Sequence, residues 1–207
     1  RPQRTIKFMG YAAEEVGLRG SNAVATKYAN DGIDVVGVLQ LDMTNYKNGA
    51  PYDMQRITDY TDASLNTWFG DLFSAYLAPL GFVLSDFPCG YACSDHASWK
   101  AKGFPASMMF EAGEPRTPQN SFGDFPYIHS TGDTLANMGD SAIHSVKFAQ
   151  FGLAFIGELG KTHDPATNQA PVAAFSAALP PVWSACQWVL RIRSRRQPRT
   201  ARSEERR

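Results

Sequence analysis

Residues 11–20 read YAAEEVGLRG, and the two carboxylates at its centre, Glu14 and Glu15, decide how the rest of the chain is read. They follow a short apolar, strand-like run from Thr5 to Tyr11 and stand just before Gly17 and Gly20. Adjacent residues in a regular strand point to opposite faces, so the pair can serve one site only where the strand stops. The glycines supply the turn that allows it. One glutamate can then hold a metal ion while its neighbour takes a proton from water. A solvated acidic turn is the other reading of a bare Glu–Glu pair, and the chain beyond it decides between the two.

Two further segments have the same form. Gly37 to Met43 reads GVLQLDM, an apolar run with Asp42 near its end, and Tyr127 to Leu135 reads YIHSTGDTL, with His129 after an aromatic and a β-branched residue. Glu15, Asp42 and His129 are thus expected at the end of a strand or in the loop after it. In open α/β sheets the ligand crevice lies beyond the carboxyl ends of the strands. Carboxylate, carboxylate and imidazole suit zinc, which takes N and O ligands at about 2.0–2.2 Å. Singly, each has a plainer explanation: an Asp ending a strand as a turn or helix cap, a lone His as a satisfied structural residue.

The strings YAAEEVGLRGS, LQLDMTNYK, ITDYTD, CGYACSDHASW and IHSTGDTLAN resemble the secreted bacterial leucyl aminopeptidases of the M28 zinc-peptidase family, nearly continuously from Thr5 to Lys161. The resemblance implies a zinc-exopeptidase-like fold, an α/β three-layer sandwich whose mixed sheet is covered by helices. It implies a metallo-aminopeptidase that releases large apolar, leucine-like residues from peptides with a free amino terminus, using two zinc ions. Position by position it makes Glu14 the general base and Glu15, Asp42 and His129 zinc ligands. Met43, Ile57, Tyr91, Phe110 and Ile128 would line the pocket for the first side chain. Cys89 and Cys93 would form a disulfide beside it; read from the residues alone, C-x3-C is a tight loop or a weak metal pair. Such a bond closes so short a loop that it adds only roughly 2 kcal/mol, and it favours an oxidising compartment. Cys186 has no evident partner. The family is secreted, and a monomer is expected. Cobalt or manganese could occupy similar ligands.

The chain also departs from that pattern. A complete site of the family has five ligands, and a His and a bridging Asp lie on segments upstream of the Glu pair, whereas Arg1 stands only thirteen residues before Glu14. His96, His144 and His163 do not match the absent imidazole. The expectation is therefore the C-terminal part of a catalytic domain over residues 1–162, with doubtful activity of its own. The alternatives are an inactive truncated fragment, a non-catalytic binding module, and a related glutaminyl cyclase.

Composition agrees with one such domain. At 207 residues and 43% hydrophobic, the chain can bury on the order of 70% of its unfolded surface. No stretch approaches the roughly 20 apolar residues of a membrane span, and no signal peptide is visible. Net charge is zero, but residues 191–207 hold eight arginines and two glutamates, so residues 1–190 carry −6. An acidic body has no surface suited to nucleic acid.

Strand-like runs cover Thr5–Tyr11, Val35–Met43, Met54–Tyr60, Gly81–Phe87 and Phe104–Phe110; helical patterns cover Ser21–Asn30, Ala63–Leu80, Asp95–Lys102 and Ser141–Leu159. The last helix is expected to turn Ile143, Val146, Phe148, Phe151, Leu153, Phe155 and Ile156 largely toward the core, and aspartates and serines should cap several helices. Ile6, Phe8 and Val36 are expected to lack neighbours, leaving the isolated chain poorly stable. Residues 163–176 read as a linker and the start of a PKD-like domain. Residues 177–207, rich in Arg and Pro, read as a disordered or frame-shifted tail without strand alternation.

Overall fold

Gly37–Leu41 (β2) is covered along almost its whole length, which only the interior of a sheet layered on both faces allows. The computed structural model describes residues 2–47, 49–112, 125–161 and, as backbone alone, 188–194. Besides β2, the sheet contains β1 (Arg4–Met9), β3 (Met54–Ile57), β4 (Leu84–Phe87), β5 (Ala106–Glu111) and β6 (Trp188–Ser194), in the order β1-β6-β2-β5-β3-β4. β2 and β5 pair in parallel, as do β3 and β4; β3 is antiparallel to β5, and β6 is antiparallel to both β1 and β2. Strands β1, β2 and β5 therefore share one direction. The sheet is mixed, as expected.

Side-chain alternation along the strands builds the three layers. On one face Leu39, Met54 and Met109 meet α2 (Ala63–Tyr76) and α4 (Val146–Gly160) through Phe69, Phe148, Phe151 and Phe155. Phe69 meets Phe151 and Phe155 edge-on at 5.2 and 5.7 Å. Each such wholly buried ring stabilises the fold by about 1.5–3 kcal/mol. On the other face Val38 and Ala106 meet α1 (Arg19–Asn30) and α3 (His96–Ala101) through Ala25, Tyr28 and Trp99. A third cluster, Ile57, Phe87, Cys89, Met108 and Phe110, lies behind the cleft described below.

Several details differ from expectation. Of the caps, Asp62 accepts from Leu65 N–H at 3.0 Å, but α1, α3 and α4 begin without a side-chain cap. Phe148, Phe151 and Phe155 face the core, whereas Ile143, Val146 and Leu153 are exposed. The cause is phase: a 3-10 turn over Ile143–Ser145 precedes α4 and breaks the 3.6-residue period, and Leu153 stands two residues from Phe151, on the opposite side. Among the described residues 125–135, around His129, the chain is a series of turns and bends with no strand. Ile6 and Val36 do find neighbours in the α2–α4 core, while Phe8 is 65% exposed.

The largest difference is β6. Trp188, Leu190 and Ile192 alternate with Val189, Arg191 and Arg193, and the strand they form lies within the span read as lacking alternation. Leu190 is in register with Phe8 and Leu39, and Ile192 with Ile6 and Gly37. The PKD-like stretch, His163 and Cys186 lie outside the described residues.

Two outcomes test this fold. A proline in a strand paired on both sides removes a ladder donor, so Leu190→Pro should lower amide-exchange protection of Thr5–Met9 while leaving β3–β5 protected. His96 is wholly buried, and burial lowers its pKa to about 4. Above pH 6.5 the imidazole is neutral folded and unfolded; below it only the unfolded chain takes the proton, so stability is lost as pH falls toward 4. By linkage that loss is on the order of 3 kcal/mol. Raised carboxylates act in the opposite sense, so the quantity to measure is the difference in urea-unfolding free energy between wild type and His96→Asn, between pH 7 and pH 4.

Candidate active site

The Glu pair stands where β1 has ended and the chain turns toward α1. The backbone N–H groups of Gly17 and Leu18 both donate to Glu14 C=O, at 3.0 and 2.9 Å. Gly17 has φ +99°, and a Cβ on Gly20 would lie 2.4 Å from Ala12 C=O, so both glycines are required, as the sequence implied. Asp42 follows β2 directly. Ala13, Leu18, Met43 and His129 also adopt left-handed backbone, with φ from 51° to 60°. Such residues cost energy and gather at functional sites; all four border this cleft or its glutamates.

The turns around β1 and β2 open a cleft of about 280 Å³ lined by Glu14, Glu15, Asp42, His129 and Asp133 on its polar side. Met43, Phe87, Tyr91, Phe110 and Ile128 supply the apolar side, with Cys89 and Cys93 at its edge. Cys89 and Cys93 are disulfide-bonded. His129 Nε2 lies 3.1 Å from Glu15 Oε2. Asp42 Oδ2 accepts from Ser94 Oγ at 2.7 Å. Ile57 is not on the cleft surface: it is wholly buried behind Phe87 and Phe110 and supports them.

Burial raises the Glu14 carboxyl to about 7, helped by the negative charges of Asp42, Glu15 and Asp95. Burial likewise raises Asp42 to about 6, with the Ser94 hydrogen bond opposing the shift and Asp95 adding to it. Asp95 is wholly buried, and burial raises its own pKa. A carboxyl held near neutrality can both accept and return a proton at ordinary pH. The polar side offers O and N donors of the kind zinc takes. Glu15 and His129 already meet as a pair, but among the described residues no group of three His, Cys, Asp or Glu side chains is disposed to hold a metal ion.

Ser94, Asp95, Phe87 and Asp133 were not singled out from the sequence. Ser94 and Asp95 look like ordinary loop polar residues until their burial is known. The legible signal was their place directly after the second cysteine, in CSDHASW.

The chain is similar to a probable leucine aminopeptidase of Trichophyton verrucosum, 38% identical over 76% of this chain and 39% of that protein. It is also similar to a probable aminopeptidase of Saccharomyces cerevisiae, 39% identical over 77% of this chain and 40% of the other. Among solved structures, the LapA aminopeptidase of Legionella pneumophila superposes with a TM-score of 0.63 at 35% identity, over 74% of this chain and 38% of that one. A zinc aminopeptidase from Bacillus subtilis shares the fold at 20% identity and a TM-score of 0.57, over 76% and 36%. The chain thus spans about two fifths of the length of the relatives it matches. Residues 1–154 match the family Peptidase family M28, and the chain belongs to peptidase family M28.

Proposed function

We propose that the cleft is part of a zinc aminopeptidase site that releases large apolar residues from the free amino terminus of peptides. The observation that carries this is one cleft lined both by Glu14, Glu15, Asp42 and His129 and by the apolar side chains Met43, Phe87, Tyr91, Phe110 and Ile128. Among the described lining residues there is no lysine or arginine, so the cleft's field favours cations, whether a metal ion or an α-ammonium group. Met43, Tyr91, Phe110 and Ile128 suit a leucine-like side chain, with Ile57 as backing.

The donors fit part of a zinc site. Glu15 and His129 would hold one ion and Asp42 would belong to a second, the two-ion arrangement that the family resemblance implies. Zinc, when bound, polarises carbonyl groups and acidifies water. Glu14 then acts through its own carboxylate: it accepts the proton of the attacking water as oxygen bonds to the scissile carbonyl carbon. It returns that proton to the departing amine as the C–N bond breaks. The disulfide at the edge of the cleft supports an extracellular setting. No helix among the described residues is long and apolar enough to cross a membrane.

A second reading, a chain that does not turn over alone, is favoured by the lack of three converging donors among the described residues. Hydrolysis of leucine p-nitroanilide by this chain with added zinc separates the two. Where turnover is seen, Glu14→Gln should lower kcat on the order of 10²–10⁴-fold with KM little changed. Undiminished kcat would remove Glu14 from the base role.

The same substitution has a signature independent of turnover. With its folded pKa near 7 against 4.5, ionised Glu14 destabilises the fold above pH 7, and that cost fades as pH falls to 4.5. In the metal-free chain, Glu14→Gln should therefore raise stability at pH 8 by about 1 kcal/mol, after allowance for partial exposure. The gain should vanish near pH 4.5, as read by urea unfolding.

A further inference from the structure

The loop between β4 and α3, residues 88–95, touches both sides of the cleft. Tyr91 lines the apolar side from its outer turn, the Cys89–Cys93 bond closes it, and at its far end Ser94 Oγ donates to Asp42. The disulfide ties the loop only to itself. Its tether to the sheet is Asp59, just beyond β3: Oδ1 accepts from Cys89 N–H at 2.9 Å and Oδ2 from Gly90 N–H at 2.5 Å. Two consecutive amides on the two oxygens of one carboxylate fix both the position and the tilt of the peptide between them. Gly90, at φ +85°, turns the loop at that point. His96, wholly buried in the first turn of α3, lies beside Asp59 and packs the other end of the same loop. Asp59 itself is not among the residues that line the cleft.

We propose that Asp59 is a positioning residue that aims the disulfide loop, setting Tyr91 as a wall of the first-side-chain pocket and Ser94 on Asp42. The role in selectivity rests on the aminopeptidase reading of the cleft; the anchoring does not. A carboxylate is suited to the task because both oxygens accept, and bonds to an ionised acceptor are about twice as strong as neutral ones. Asparagine keeps the shape but offers one accepting oxygen and turns an NH₂ toward the other amide, so it should retain the anchor in part. Alanine removes it.

The test uses the whole chain as wild type, Asp59→Ala and Asp59→Asn, with zinc present and two probes, L-leucinamide and glycinamide. NMR reads amide exchange at Cys89 and Gly90 and the dissociation constant of each probe. In Asp59→Ala, exchange at Gly90 should accelerate at least tenfold while β2 amides stay protected. The preference for leucinamide over glycinamide should fall at least fivefold with glycinamide affinity unchanged, and Asp59→Asn should lie between. Unaltered exchange at Gly90 would overturn the anchor, and accelerated exchange with the preference intact would overturn the role in selectivity. A wild type with no preference would overturn the apolar-pocket reading instead, and with it the selectivity role, leaving exchange alone to decide the anchor. Should Asp59→Ala lose β2 protection, Asp59→Asn carries the same comparisons.

Discussion

The carboxylates of the cleft are placed by where β1 and β2 end, and those two strands do not pair with each other. They run in parallel on either side of β6, which is antiparallel to both. The spacing between Glu14 and Glu15, beyond the end of one strand, and Asp42, beyond the end of the other, is therefore set by a third strand and by α1, the helix that crosses from β1 to β2. β6 comes from residues 188–194, outside the 1–154 span shared with the peptidase family. That segment covers one edge of β1, and open edges are templates for unwanted pairing. The fit is made by register: Leu190 and Ile192 sit opposite Phe8, Leu39 and Ile6.

Holding carboxylates together costs stability, and the fold offsets that cost elsewhere. Neighbouring negative charges oppose the ionisation of Glu14 and Asp42, and Ala13, Met43 and His129 hold left-handed backbone at φ 51° to 60°, each at a cost of order 1–3 kcal/mol. Against this stand the ring cluster of Phe69, Phe148, Phe151 and Phe155 on one face of the sheet and Trp99 with Tyr28 on the other. Burial, reinforced by that like charge, is also what lifts Glu14 to a pKa of about 7, so the destabilising feature and the chemically useful one are the same.

Much of this was legible in the sequence. Apolar runs locate β1 to β5, most plainly β2 and β5, which are covered along nearly their whole length and so are dense in apolar residues. Met54–Ile57 and Ala106–Glu111 emerged within a few residues of expectation. The glycine turn after Glu15 was read from Gly17 and Gly20 alone. β6 was hidden because arginine and proline dominate the composition around it, although Trp188, Leu190 and Ile192 keep a two-residue period. Ile143 departs from the expected stripe because a periodicity count does not register the 3-10 turn before α4, and Leu153 because it stands two residues from Phe151, on the opposite side of the helix. The place of Ser94, Asp95 and His96 after the second cysteine is visible in the sequence, but their burial and roles are not, for another reason. Polar residues carry no pattern that distinguishes a buried position from a loop, and their roles depend on which carboxylates the topology brings beside them.

Zinc titration calorimetry on this chain, with His129→Ala and Asp42→Ala as partners, tests the account most directly. The pairing of Glu15 with His129, with no group of three His, Cys, Asp or Glu side chains disposed to hold a metal ion among the described residues, predicts no more than one zinc ion per chain, lost in His129→Ala and kept in Asp42→Ala. Two ions per chain, or uptake indifferent to His129, would contradict it.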